Sequence, residues 1–214
     1  MLRTITAGAA MLAALAIPDA ALAGPAPAPK SDKIMIIDVV NANGSGCPEG
    51  TTAIAVSPDN TAFTITYSQY TAMVGPGAGV LDFRKNCQLA LDIKVPSGFT
   101  FAIASADYRG YAKLAAGAKG LEAANYYFQG NSQTTRIQHT FKGPMDDDWQ
   151  ETDSVGVASL SFLPCGERRY LNINTELRVS GGKSNTNTTT SLMSMDSTDA
   201  AINTLYRVAW KKCK

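Results

Sequence analysis

His139 is the one histidine in the chain, so every imidazole-dependent mechanism has to pass through it. A multi-histidine metal site is excluded on that ground. A Ser-His-Asp arrangement needs an activated serine, and no Gly-x-Ser-x-Gly elbow occurs. His139 lies between Ile137 and Phe141 in an alternating stretch, which predicts a partly buried, hydrogen-bonded strand residue. Asp146, Asp147 and Asp148 follow Gly143-Pro144, and clustered carboxylates are hard-oxygen ligands for calcium. The spacing is not that of an EF-hand, so a solvated acidic loop is expected there. No cofactor is expected, with calcium on Asp146, Asp147 and Asp148 as the alternative. Asp196 and Asp199 form a second acidic spot.

A glycosidase needs two carboxylates at a set separation about a cleft, and a sequence does not display separations. Aromatic side chains on a β-sandwich can stack on sugar rings. Tyr108, Tyr127 and Trp149 are the candidates for ligand stacking, and the alternation around Tyr108 and Tyr127 turns those two outward. The Gly-rich segment Met73 to Asp82 lacks the Gly-x-Gly-x-x-Gly spacing and a following helix, so it reads as a loop and not a phosphate cradle.

Four cysteines, Cys47, Cys87, Cys165 and Cys213, have no Cys-x-x-Cys spacing. An even number in an exported chain favours disulfides, and four cysteines allow three connectivities. The sequential pairing is preferred because each bridge then staples neighbouring strands. Export itself is indicated at the start: Arg3, an apolar run from Ile5 to Ile17, then Ala21-Leu22-Ala23. That is the tripartite pattern of a signal peptide over 1–23, with an apolar run too short to span a bilayer. A Pro/Ala-rich leader covers 24–33, and a single domain is expected over 34–214. With 19 Lys and Arg against 18 Asp and Glu and no basic cluster, nucleic acid is a poor partner.

These residues have to be positioned by strands. Leu89, Leu91, Ile93 and Val95 alternate with Gln88, Ala90, Asp92 and Lys94, and Pro96-Ser97-Gly98 then predicts a hairpin into Phe99, Phe101 and Ile103. Ile34 to Val40 reads as a central strand. Thr52 to Val56 and Thr61 to Tyr67 flank the type I turn chemistry of Ser57-Pro58-Asp59-Asn60. Further strands are expected at Tyr108 to Leu114, Ala123 to Phe128, Gln133 to Phe141, Val155 to Leu163, Leu171 to Val179 and Leu205 to Lys211. About ten short strands with frequent turn signals predict an all-β, antiparallel β-sandwich, jelly-roll-like and stapled by disulfides.

Several blocks together resemble a known family: Gly44-Ser-Gly-Cys-Pro, Val56-Ser-Pro-Asp-Asn-Thr-Ala-Phe, Arg84-Lys-Asn-Cys-Gln-Leu, Asp107-Tyr-Arg-Gly, Tyr126-Tyr-Phe-Gln-Gly, Pro164-Cys-Gly, Leu171-Asn-Ile-Asn-Thr, Asp196-Ser-Thr-Asp and Trp210-Lys-Lys-Cys. They are similar to the actinobacterial and fungal secreted proteins classed as domain of unknown function family 4360. The resemblance implies an exported, disulfide-bearing domain with these cysteines in its pattern, and it implies no activity. The expectation is a secreted, monomeric, extracellular or cell-envelope protein that does not span a membrane. It is read as a non-catalytic binding or structural module, with extracellular polysaccharide or cell wall as its partner. The alternative is a carbohydrate-active hydrolase using a carboxylate pair.

Overall fold

The computed structural model describes residues 35–131, 135–154, 160–195 and 204–214. The signal peptide and leader, the acidic spot at Asp196 and Asp199, and the first half of the strand expected at Val155 to Leu163 lie outside these residues. Twelve strands form and no helix does among the described residues. They are β1 (Ile36–Asn43), β2 (Thr52–Val56), β3 (Ala62–Tyr67), β4 (Thr71–Val74), β5 (Arg84–Lys94) and β6 (Phe99–Leu114). Then follow β7 (Lys119–Phe128), β8 (Thr135–Lys142), β9 (Met145–Ser154), β10 (Leu171–Ser180), β11 (Ser191–Ser194) and β12 (Thr204–Lys212).

Two antiparallel sheets face each other as a sandwich. One has five strands in the order β1-β5-β10-β7-β8. The other has seven, ordered β2-β3-β12-β6-β11-β4, with β9 also paired to β6. The long strand β6 carries β9 along one edge, while β12 and then β11 share the other. Period-two alternation sends Leu89, Leu91 and Ile93 of β5, Ile173 and Leu177 of β10, and Phe63 and Ile65 of β3 inward. Tyr206 stacks on Phe63 with centroids 5.0 Å apart, and Tyr108 and Tyr126 meet it edge-on. Trp210 closes one end, donating from Nε1 to the Asn60 carbonyl at 2.9 Å.

Several connections differ from the expected ones. The Pro96-Ser97-Gly98 turn forms, with the Phe99 amide donating to the Pro96 carbonyl at 3.2 Å, but it is not a hairpin. It carries the chain from β5 in one sheet to β6 in the other. Both flanking strands have one apolar face, and such faces are buried equally well by stacking as by side-by-side pairing. β1 is an edge strand and not a central one: Ile36 and Val40 are exposed beside a bulge between Val39 and Asn41. The acidic run falls in strand β9 instead of a loop, and Leu160–Leu163 is not strand. The hairpin β2–β3 forms as expected, with Asn60 at φ 58° and Asp59 accepting from the Ser57 and Thr61 hydroxyls at 2.7 and 2.8 Å.

Cys47 is bonded to Cys87 and Cys165 to Cys213, the sequential pairing. The first ties the loop after β1 to β5, and the second ties the segment before β10 to the end of β12.

Candidate functional site

Among apolar positions such as Ile36, Ala90 and Leu121, the outward face of the five-stranded sheet carries a run of polar side chains. Register places Asn43 beside Gln88, Gln88 beside Asn174, Asn174 beside Asn125, and Asn125 beside Arg136. One row of amides ending in a guanidinium thus crosses all five strands, about 19 Å at the usual strand spacing. Asn172 and Tyr127 are paired on the flank of this row. The Tyr127 ring is half-buried, and its hydroxyl lies 3.5 Å from the Asn174 amide nitrogen. On the opposite flank Glu176 is 5% exposed. Its Oε2 accepts from Arg84 Nε at 2.8 Å, its Oε1 accepts from Arg178 at 2.7 Å, and Arg136 stands 3.8 Å away. Burial pulls the Glu176 carboxyl upward, but these guanidiniums outweigh it and hold the group below its ordinary range. A cavity of about 180 Å³ opens here, lined by Arg84, Gln88, Asn125, Arg136, Asn174 and Glu176.

A second polar cluster lies inside, where edge strands β8 and β9 meet. His139 Nε2 is 2.6 Å from Asp153 Oδ1, and Nδ1 is 3.3 Å from Glu151 Oε2. The Tyr126 hydroxyl donates to the other Asp153 oxygen at 2.9 Å. An imidazolium donates to both carboxylates, whereas a neutral ring donates to one. Glu122, paired across from His139, is fully buried, and neither of its carboxylate oxygens has a hydrogen-bond partner among the described residues. Burial, and then the Asp153 and Glu151 charges, push its carboxyl up to about 9. Glu122 and Asp153 lie between the sheets and line none of the described cavities. The second ring nitrogen of His139 faces Glu151 and not a serine, so no nucleophile is arranged on it.

Of the three stacking candidates only Tyr127 is on a solvent-facing surface. Tyr108 is 0% exposed and Trp149 4%, which corrects the outward placement of Tyr108 and removes both rings from ligand contact. Tyr108 turns into the core because the register shift at Ala104 reverses the alternation begun by Phe101 and Ile103, so that Ala106, Tyr108 and Ala112 face inward. Trp149 fills the space over Gly110. Asp146 and Asp148 project from one side of β9 and Asp147 from the other, since consecutive strand residues alternate. Asp146 is taken up by Tyr111 and by Lys113 at 3.6 Å. Among the described residues no three His, Cys, Asp or Glu side chains are arranged to hold a metal ion.

The amide row was not singled out from sequence. Its signal is the polar half of each alternation, Asn86-x-Gln88 and Asn172-x-Asn174, which by itself describes any solvated strand face. Glu122, Glu151 and Asp153 gave no signal, because β7 and β9 lie in different sheets and only the stacking of the sheets brings them together.

A family model described as Domain of unknown function (DUF4360) matches residues 33–213. An uncharacterized secreted protein of Arthroderma benhamiae is 38% identical over 186 residues, covering 87% of this chain and 74% of that protein. Among solved structures, the enzymatically active domain of bacteriophage CBA120 tailspike protein 4 aligns at TM-score 0.27 and 11% identity, over 86% of this chain and 20% of that one. A family 11 carbohydrate-binding module from Clostridium thermocellum, in complex with a mixed-linked tetrasaccharide, aligns at TM-score 0.23 and 9% identity, over 81% and 88%. Likenesses this distant carry no functional weight. Secreted, all-β and closed by two disulfides, the chain belongs to the family described as Domain of unknown function (DUF4360).

Proposed function

We propose that this protein is a non-catalytic module that binds extracellular polysaccharide across the outer face of its five-stranded sheet. The observation that carries this reading is the row Asn43, Gln88, Asn174, Asn125 and Arg136, with Tyr127 beside it. Side-chain amides offer both donors and acceptors, which suits the hydroxyl groups of a sugar, and the tyrosine ring offers an apolar face for a pyranose. A rigid sheet holds these groups without ordering a loop on binding. Affinity electrophoresis of the secreted protein through gels containing plant, fungal and bacterial polysaccharides tests it. At least one polymer is expected to retard the protein, and Tyr127→Ala is expected to weaken that binding about tenfold. Retardation unchanged in both Tyr127→Ala and Asn174→Ala overturns it.

One observation favours a second reading, a hydrolase: the Glu122 carboxyl, pushed up to about 9 by burial and by the Asp153 and Glu151 charges, keeps a proton that an acid catalyst could donate. Its position inside the core ranks it below binding. Reducing ends released by the wild type and abolished by Glu122→Gln would reverse that order.

A further inference from the structure

We infer that the arginine cluster around Glu176 is an anion subsite of the proposed binding face, and that the preferred ligand is a polysaccharide bearing carboxylates. This inference rests on the polysaccharide reading. Towards the other edge of the same face Asp92 is matched with Arg168 and Asp38 with Lys94. At Glu176 three guanidiniums, Arg84, Arg136 and Arg178, meet one carboxylate. Lys119 and Lys142, paired across β7 and β8 beyond them and both exposed, add two cations with no ion pair among the described residues.

Glu176 orients the arginines and does not neutralise them. It takes two N–H groups of Arg84 and one of Arg178, while each guanidinium has five to give. The Arg84, Arg136 and Arg178 side chains stay 47%, 41% and 47% exposed. Arg84 and Arg136 line the cavity of about 180 Å³, so their unused donors border it together with the Asn125 and Asn174 amides. The guanidinium fork matches a planar carboxylate through two parallel hydrogen bonds. A uronate unit therefore completes the charge balance while its hydroxyls meet the amide row.

The test compares binding of polygalacturonate, its methyl ester, hydroxyethyl cellulose and dextran sulfate to the intact protein at two salt concentrations. Polygalacturonate is expected to bind about tenfold tighter than its ester, with the difference shrinking as salt rises. Arg136→Gln leaves Glu176 with Arg84 and Arg178, so it keeps the fold; a melting curve checks this. It should remove most of the acid preference, the acid-to-ester affinity ratio falling towards one. Arg84→Lys, which keeps the charge and loses the fork, should reduce the preference for carboxylate. Equal binding of acid and ester, an unchanged preference in Arg136→Gln, or tighter binding of dextran sulfate overturns the subsite but leaves the polysaccharide face standing. Binding of none of the polymers removes both.

Discussion

Glu122 is a residue whose chemistry lies far from its ordinary state. In the unfolded chain its carboxyl loses a proton near 4.5, whereas in the fold it keeps that proton up to about 9. Folding therefore takes up a proton between those limits, and stability falls as pH rises across them. At pH 7 the loss is roughly 3 kcal/mol relative to acid conditions. Glu122→Gln keeps the shape without the titration. Urea unfolding at pH 5 and pH 8 should show a wild-type midpoint that drops with pH and a variant midpoint that holds. Asp92, Asp107 and Glu176 act in the opposite sense. Hydrogen bonds from Arg168 lower Asp92, while Asp107 and Glu176 are lowered by arginines that outweigh their burial. Their stabilisation is present above the ordinary carboxylate range and is lost as pH falls through the lowered values. Wild-type stability should thus peak in mildly acidic solution.

Strand β6 is the element on which the seven-stranded sheet is assembled, since β9, β11 and β12 all pair with it. Gly110 is the point of closest approach. A Cβ there would lie 1.9 Å from the Ser194 carbonyl oxygen and 2.5 Å from the Trp149 ring. Gly110→Ala must therefore push β11 or Trp149 away from β6, at a cost of about 1–3 kcal/mol or more. A lowered melting temperature, with the circular dichroism of Trp149 altered, checks it. The sequence reading anticipated two strands where β6 is one, because the register shift at Ala104 breaks the apolar alternation without stopping the hydrogen bonding. It missed β9 for a related reason: Met145–Ser154 is polar on its exposed side and carries acids on both, so period two leaves no apolar trace there. β4 and β11, four residues each, are too short to show a period.

At the scale of the molecule, seven of the eleven connections between the described strands pass from one sheet to the other, and the two disulfides span 40 and 48 residues of that path. In the chain-entropy view, closing a loop of that size restrains the unfolded chain by about 4 kcal/mol. Replacing Cys47 and Cys87 together by Ser should lower stability by about that much in urea unfolding while the sheets still form. The same path explains the polar face. The strands β5, β10 and β7 come from three distant parts of the chain, yet their outward amides share one row.

The sequence alone determined the all-β class, the cysteines available for bridging, the β2–β3 hairpin and, through its ordered residue blocks, the family. The first three depend on local period, turn residues or composition, and the family on resemblance of those blocks. Tertiary structure decided the rest. Which strands pair and which stack depends on long-range burial, so the turn at Pro96-Ser97-Gly98 became a crossing between sheets. The same pairing put Tyr108 inside and left Tyr127 outside, gathered three arginines on Glu176, and buried Glu122 beside Asp153. A two-residue period says that a side chain has two faces to choose from, and only the partner sheet says which face is dry.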